Sequence, residues 1–131
     1  HHAVDPSSAK EFISDQTSGL GADIIYECAG IPATVQSAVD LARRGGRVAL
    51  IGLALGDAPI TPRQWLMKEI QVTAALGYTH EEFDMTMGYV ADGRVDLDAL
   101  HSGTVDLLDI NTIFDELSTG VTEHTKVLVK P

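Results

Sequence analysis

Few side chains in this sequence are of types that do chemistry, and their spacing does not gather them into a machine. His80, His101 and His124 are scattered and carry no metal-ligand spacing. His80 lies inside Thr79-His80-Glu81-Glu82, a capping box, which makes it a solvated first-turn residue. Cys28 is the only cysteine, which excludes an internal disulfide and a cysteine-built zinc site. At the end of an apolar run it reads as a small buried hydrophobe, not as a nucleophile. Ser7 and Ser8 read as helix-cap residues, with nothing like a nucleophile elbow around them. Asp84, Asp92, Asp96 and Asp98 read as a solvated acidic face. Gly19-Leu20-Gly21 is followed by a strand pattern, so no G-x-G-x-x-G loop is present. No catalytic residue and no metal ligand is assigned.

What the residues do offer is a binding surface. Three apolar runs in succession close on a glycine: Gly30, Gly52 and Gly77. One such glycine is turn geometry. As a set they mark the carboxyl ends of parallel strands, where open sheets bind ligands. The cluster Cys28-Ala29-Gly30, Ile51-Gly52-Leu53 and Ala75-Leu76-Gly77 is small and apolar, with free peptide groups. It suits an uncharged planar ring bearing an amide, and no phosphate cradle accompanies it.

The elements that must position this cluster follow from periodicity. Residues 3–6 (AVDP) read as the tail of a short strand stopped by proline. Ser8-Ala9-Lys10-Glu11 is a capping box opening a helix that ends at residues 19–21. Residues 23–29 (DIIYECA) read as a buried strand. Pro32 starts a helix whose Val35, Ala38, Val39 and Ala42 form one stripe, with Arg43 and Arg44 at its negative end. Residues 47–51 (RVALI) are the next strand. Thr61-Pro62-Arg63-Gln64 caps a short helix, and residues 70–76 (IQVTAAL) form a third strand. A helix from the Thr79 box runs to Gly93, and residues 94–108 are a mixed connection. Asp109 caps a last helix with Ile110, Ile113, Phe114 and Leu117 on one stripe, and residues 126–130 (KVLVK) form a closing strand. This order specifies an α/β fold with a mainly parallel sheet.

The bulk composition is that of a globular domain. Of 131 residues, 44% are hydrophobic and 21% charged, enough to build a core without staples. A net charge of −10 argues against a general grip on nucleic acid or an anionic membrane. No uncharged apolar run is long enough to span a bilayer. The expected setting is the cytoplasm.

Taken in order, GADIIYECAG, a proline-started helix, RRGGRVALIG, WLMKEIQVTAALGY, EEFDMTMGYVADGRVD and HTKVLVKP resemble the C-terminal part of the medium-chain, zinc-dependent alcohol dehydrogenase family. The likeness is greatest to the polyol branch, the butanediol, sorbitol and threonine dehydrogenases, and covers nearly the whole chain. It implies a Rossmann domain binding NAD or NADP, paired with a zinc-bearing catalytic domain that oxidises a small alcohol or reduces a ketone. By that resemblance Cys28 and Ala29 line the cofactor crevice. Ile51, Gly52 and Leu53 flank the nicotinamide, Ala75 and Gly77 hold its carboxamide, and Lys126 lies near the pyrophosphate.

The resemblance also implies that the glycine-rich loop, the residue choosing NAD or NADP and the zinc ligands lie upstream of residue 1. The expected architecture is thus a partial Rossmann fold lacking its first two strands. It is one domain over residues 1–131: dinucleotide-binding over about 3–120, with a closing strand at 126–130 that joins the catalytic domain in the family. On its own such a piece is expected to be inactive. Residues 23–29 should form an unpaired apolar edge, the closing strand should lack a partner, and the chain should form a homo-oligomer. Two other readings stay open: a zinc-free quinone or enone reductase on the same scaffold, and a non-catalytic binding or oligomerisation module.

Overall fold

The computed structural model describes residues 1–120 and 122–131. The chain divides into two compact units, residues 1–77 and 78–131. The first unit contains α1 (Ala9–Gln16), β1 (Ala22–Glu27), α2 (Pro32–Leu41), β2 (Ala42–Leu50), α3 (Pro62–Lys68) and β3 (Gln71–Ala74). Its strands lie in the order β1-β2-β3, and both pairings are parallel. The α/β class and the parallel sheet are as expected from the alternation of apolar runs and helical stripes. The core is where the stripe of α2 meets β2: Ala38, Val39, Ala42 and Val48 are buried, and Ile25, Leu50, Trp65, Ile70 and Val72 pack on them.

Residues 3–6 form no strand. Asp5 Oδ1 instead accepts the Ser7 amide at 2.9 Å, and the Ser8 amide donates to the Asp5 carbonyl. Hydrogen bonds from Ser7 hold the Asp5 carboxyl below its ordinary range. That turn leaves Ser8 with helical dihedrals, and its hydroxyl makes no cap. An N-cap needs extended dihedrals to aim its oxygen at the next amides, so the expected box does not form.

The Thr61 box also fails, for a longer-range reason. Gln36 of α2 takes its partners: Gln36 Oε1 accepts the Thr61 amide at 2.8 Å and Trp65 Nε1 at 3.1 Å. Gln36 Nε2 donates to Gln64 Oε1 at 2.8 Å.

Nor do Arg43 and Arg44 end α2. They belong to β2, where the register shifts between Ala22 and Ile24, and they pair with Asp23 and Glu69. The cation at the negative end of α2 is Lys68 of α3. Its Nζ donates to the carbonyls of Val39, Asp40 and Ala42 at 2.8, 2.9 and 2.7 Å. Burial lowers the Lys68 pKa from its ordinary value, with Asp40 opposing that shift.

The strand read as buried over residues 23–29 is one sheet edge, and β3 is the other. On β1, Ile24 and Tyr26 are exposed, and beyond β3 Leu76 is nearly bare. The outer edge of β1 is unpaired among the described residues, as expected.

The second unit contains α4 (His80–Ala91), β4 (Gly103–Asp106), a single 3-10 turn (Leu107–Asp109), α5 (Ile110–Thr119) and β5 (Val127–Lys130). Here the Thr79 box does form: the Glu82 amide donates to Thr79 Oγ1 at 3.2 Å, and the Thr79 amide to Glu82 Oε2 at 2.6 Å. Asp109 makes no side-chain cap, because the 3-10 turn already carries it into near-helical dihedrals. The closing strand does have a partner. β5 pairs in parallel with β4, from Gly103↔Val127 to Asp106↔Lys130, with α5 as the crossover. The strand hidden in the mixed connection is only four residues long and opens on glycine, so periodicity could not reveal it. Among the described residues no helix is long and apolar enough to cross a membrane.

Candidate functional site

Parallel register brings the ends of β1, β2 and β3 level. Glu27 lies opposite Leu50, and Leu50 opposite Ala74, so the turns that follow stand side by side. The Glu27 carbonyl accepts the amides of Ile51 and Gly52 at 2.9 and 2.8 Å, and the Ala75 amide donates to the Leu50 carbonyl at 3.1 Å. Three of the peptide groups read as free are thereby engaged in holding the turns together.

The turns touch at two glycines. A Cβ on Gly52 would lie 2.2 Å from the Gly30 nitrogen, closer than any side chain permits. Gly30 has φ +66°, and a Cβ there would lie 2.9 Å from the Leu53 main chain. Both positions are glycine because backbone meets backbone.

Between the turns is an open, mainly apolar crevice of about 280 Å³. Ile51, Gly52, Leu53 and Ala75 line it together with Glu27 and Leu50. Cys28 and Ala29 line a neighbouring cavity of about 390 Å³ on the α2 side of β1, with Tyr26 and Thr34. Glu27 borders both. The structure thus brings four of the expected crevice residues together and places two more across the Glu27 wall. Gly77 follows the crevice at φ +66° without lining it. Lys126 belongs to the second unit, where its main chain is tied to Ser102, so its assignment rests on the family resemblance.

Cys28 is exposed, not a buried hydrophobe. It follows the last paired residue of β1, so no neighbouring strand covers it.

Sequence reasoning missed Glu27. It is 5% exposed, the one charged side chain in the buried set. Its Oε1 accepts the amides of Ala29 and Gly30 at 2.9 and 3.0 Å, with Thr34 Oγ1 at 2.7 Å. The signal was an acid inside the apolar run at residues 23–29. Burying such a group needs a reason.

Among the described residues no group of three or more His, Cys, Asp or Glu could hold a metal ion. The crevice can grip a flat, largely apolar group through its walls and the main chain of its turns. It has no nucleophile or cation of its own to act on that group.

Residues 1–92 match the family described as zinc-binding dehydrogenase. The 2-dehydro-3-deoxy-L-galactonate 5-dehydrogenase of Pseudoalteromonas atlantica is 29% identical over 119 residues, covering 91% of this chain and 35% of that protein. The crystal structure of 2R,3R-butanediol dehydrogenase from Bacillus subtilis superposes with a TM-score of 0.80 at 26% identity, over 98% of this chain and 37% of that one. An alcohol dehydrogenase from E. coli CFT073, solved with the cofactor NADH, matches with a TM-score of 0.79 at 19% identity, over 90% of this chain and 35% of that one. The chain spans about a third of the length of the curated relatives it matches. Its parallel sheet is part of a Rossmann-type fold.

Proposed function

Since this chain belongs to the zinc-binding dehydrogenase family, we propose that it forms the nicotinamide-side part of the cofactor crevice of an NAD- or NADP-linked alcohol or polyol dehydrogenase. The observation that carries this reading is the crevice at the ends of three parallel strands, walled by Ile51, Gly52, Leu53 and Ala75. The butanediol dehydrogenase likeness and the NADH bound to the E. coli relative support it.

The crevice fits the nicotinamide end of the cofactor. It is mainly apolar, and glycine at position 52 lets the two turns close on each other without a side chain between them. The group, when bound, supplies the carbon that accepts or gives up hydride. Ile51 and Leu53 would cover its ring and keep water off that carbon, and Ala75 would leave space for the carboxamide. Cys28 and Ala29 would face the cofactor from the neighbouring cavity.

Zinc does not fit this chain, since the described residues hold no group of three or more His, Cys, Asp or Glu able to ligate it. In this reading the chain alone is inactive and the alcohol or ketone is held largely by other parts of the protein. The exposed lone thiol of Cys28 suits the reducing cytoplasm. The bare apolar edges of β1 and β3 support a homo-oligomer, which sedimentation would register as concentration-dependent association.

The test is titration of the full-length protein with NADH and with NADPH, followed by intrinsic fluorescence, beside an Ala75→Phe variant that fills the crevice. Saturable binding of one nucleotide, weakened about tenfold in Ala75→Phe, is expected. Wild-type protein that binds neither would refute the reading.

A further inference from the structure

We infer that Glu27 is the positioning residue of the crevice, holding the turn after β1 and the turn after β2 in the arrangement that admits the cofactor. The inference rests on the cofactor reading above and assigns the part played by one residue within it.

Five donors converge on Glu27. Its Oε1 takes the amides of Ala29 and Gly30 and lies 2.7 Å from Thr34 Oγ1. The Ile31 carbonyl, 2.6 Å from the same hydroxyl, competes for its proton. Its main-chain carbonyl takes the amides of Ile51 and Gly52. One residue therefore fastens both walls, and the close approach of Gly52 to Gly30 makes them move together. A shift of the first turn must displace Ile51, Gly52 and Leu53, the residues that face the ring.

The second carboxyl oxygen sits in a less favourable setting than the first. Oε2 is buried with no hydrogen-bond partner among the described residues. A buried polar atom without a partner is unfavourable, so the hydrogen bonds that Oε1 makes to the turn come at the cost of leaving Oε2 unpaired. Such local conflicts concentrate at functional sites. Because Oε2 is also closed off from the surface, the Glu27 carboxyl acts on a ligand through the turns.

The experiment compares Glu27→Ala, Glu27→Gln and Thr34→Val with wild type in the full-length protein, reading the Kd for NADH or NADPH beside the melting temperature. Glutamine keeps the acceptor for both turn amides but buries an amide nitrogen without a partner. It is expected to melt earlier while its Kd stays within about threefold of wild type. Alanine removes the acceptor, and its Kd is expected to rise about tenfold or more. Thr34→Val removes one donor and is expected to give a smaller rise. In turnover the KM for the nucleotide should follow Kd while the KM for the alcohol stays put.

Wild-type affinity in Glu27→Ala would overturn the inference; should that variant not fold, wild-type affinity in Thr34→Val would overturn it instead. A wild-type protein that binds neither nucleotide sinks the cofactor reading and this inference with it. Binding by wild type with no change in the variants sinks the inference alone.

Discussion

In the first unit the polar contacts that hold elements together join residues far apart in the chain. Gln36 reaches Thr61, Gln64 and Trp65, and Lys68 reaches back to the last carbonyls of α2. In the second unit the corresponding contacts are mostly local. The Thr79 box closes within four residues, His101 bonds Gly103, and among the described residues Ser102 alone spans a distance, to Thr125 and Lys126. The cores differ in the same sense. Four buried residues form a cluster between α2 and β2, whereas Ile113 is the only buried hydrophobic side chain among the described residues of the second unit. The lesson is that the unit bearing the crevice is the one whose shape depends on long-range fastening. Sites need walls held in fixed geometry, and local turns alone do not supply that.

The sharpest way to break this contrast is at glycine. Gly52→Ala drives a Cβ into the Gly30 backbone and is expected to destabilise the protein by about 3 kcal/mol, read by urea denaturation. Gly103→Ala in the second unit meets only the edge of the His124 ring, which can swing away, and should cost about 0.5 kcal/mol. Equal losses at the two positions would remove the distinction between backbone and side-chain contact.

The polar fastenings come next in size. Gln36→Ala strands the Thr61 amide and the Trp65 indole and is expected to cost about 2 kcal/mol. Ser102→Ala strands the more exposed amides of Thr125 and Lys126 and should cost about 1 kcal/mol. Hydrogen exchange localises the two effects: loosening at the start of α3 in the first variant and at β5 in the second.

The smallest effect is a pH dependence confined to α4. The Thr79 amide, and next the Thr79 hydroxyl, hold the Glu82 carboxyl below the ordinary glutamate range. A carboxyl with a lowered folded-state pKa contributes stability that is present above its unfolded value and lost as pH falls through the folded one. Acidification should therefore fray the first turn of α4 before anything else in that helix, seen as movement of the Glu82 amide resonance. Glu82→Gln should make that resonance insensitive to pH over the same range.

Much of the candidate crevice was legible in the sequence. The glycine-closed apolar runs located Gly30 and Gly52, and the i, i+3, i+4 stripe located Val35, Ala38 and Val39 in the core. Of three capping boxes with equally good spelling, only Thr79 formed. Ser8 was held by a turn from Asp5, and Thr61 was captured by Gln36, a competitor 25 residues away.

Periodicity and end signals are local, so the sequence by itself determined the helices and the three strands of the first sheet, and that these strands run parallel, but not the short β4. Which cation ends α2, that β4 and β5 pair, and that Glu27 holds two turns at once were decided by the tertiary structure. Each of these depends on which groups reach one another across the fold, and a buried donor or acceptor takes the partner that folding brings, whatever its neighbour in sequence offers.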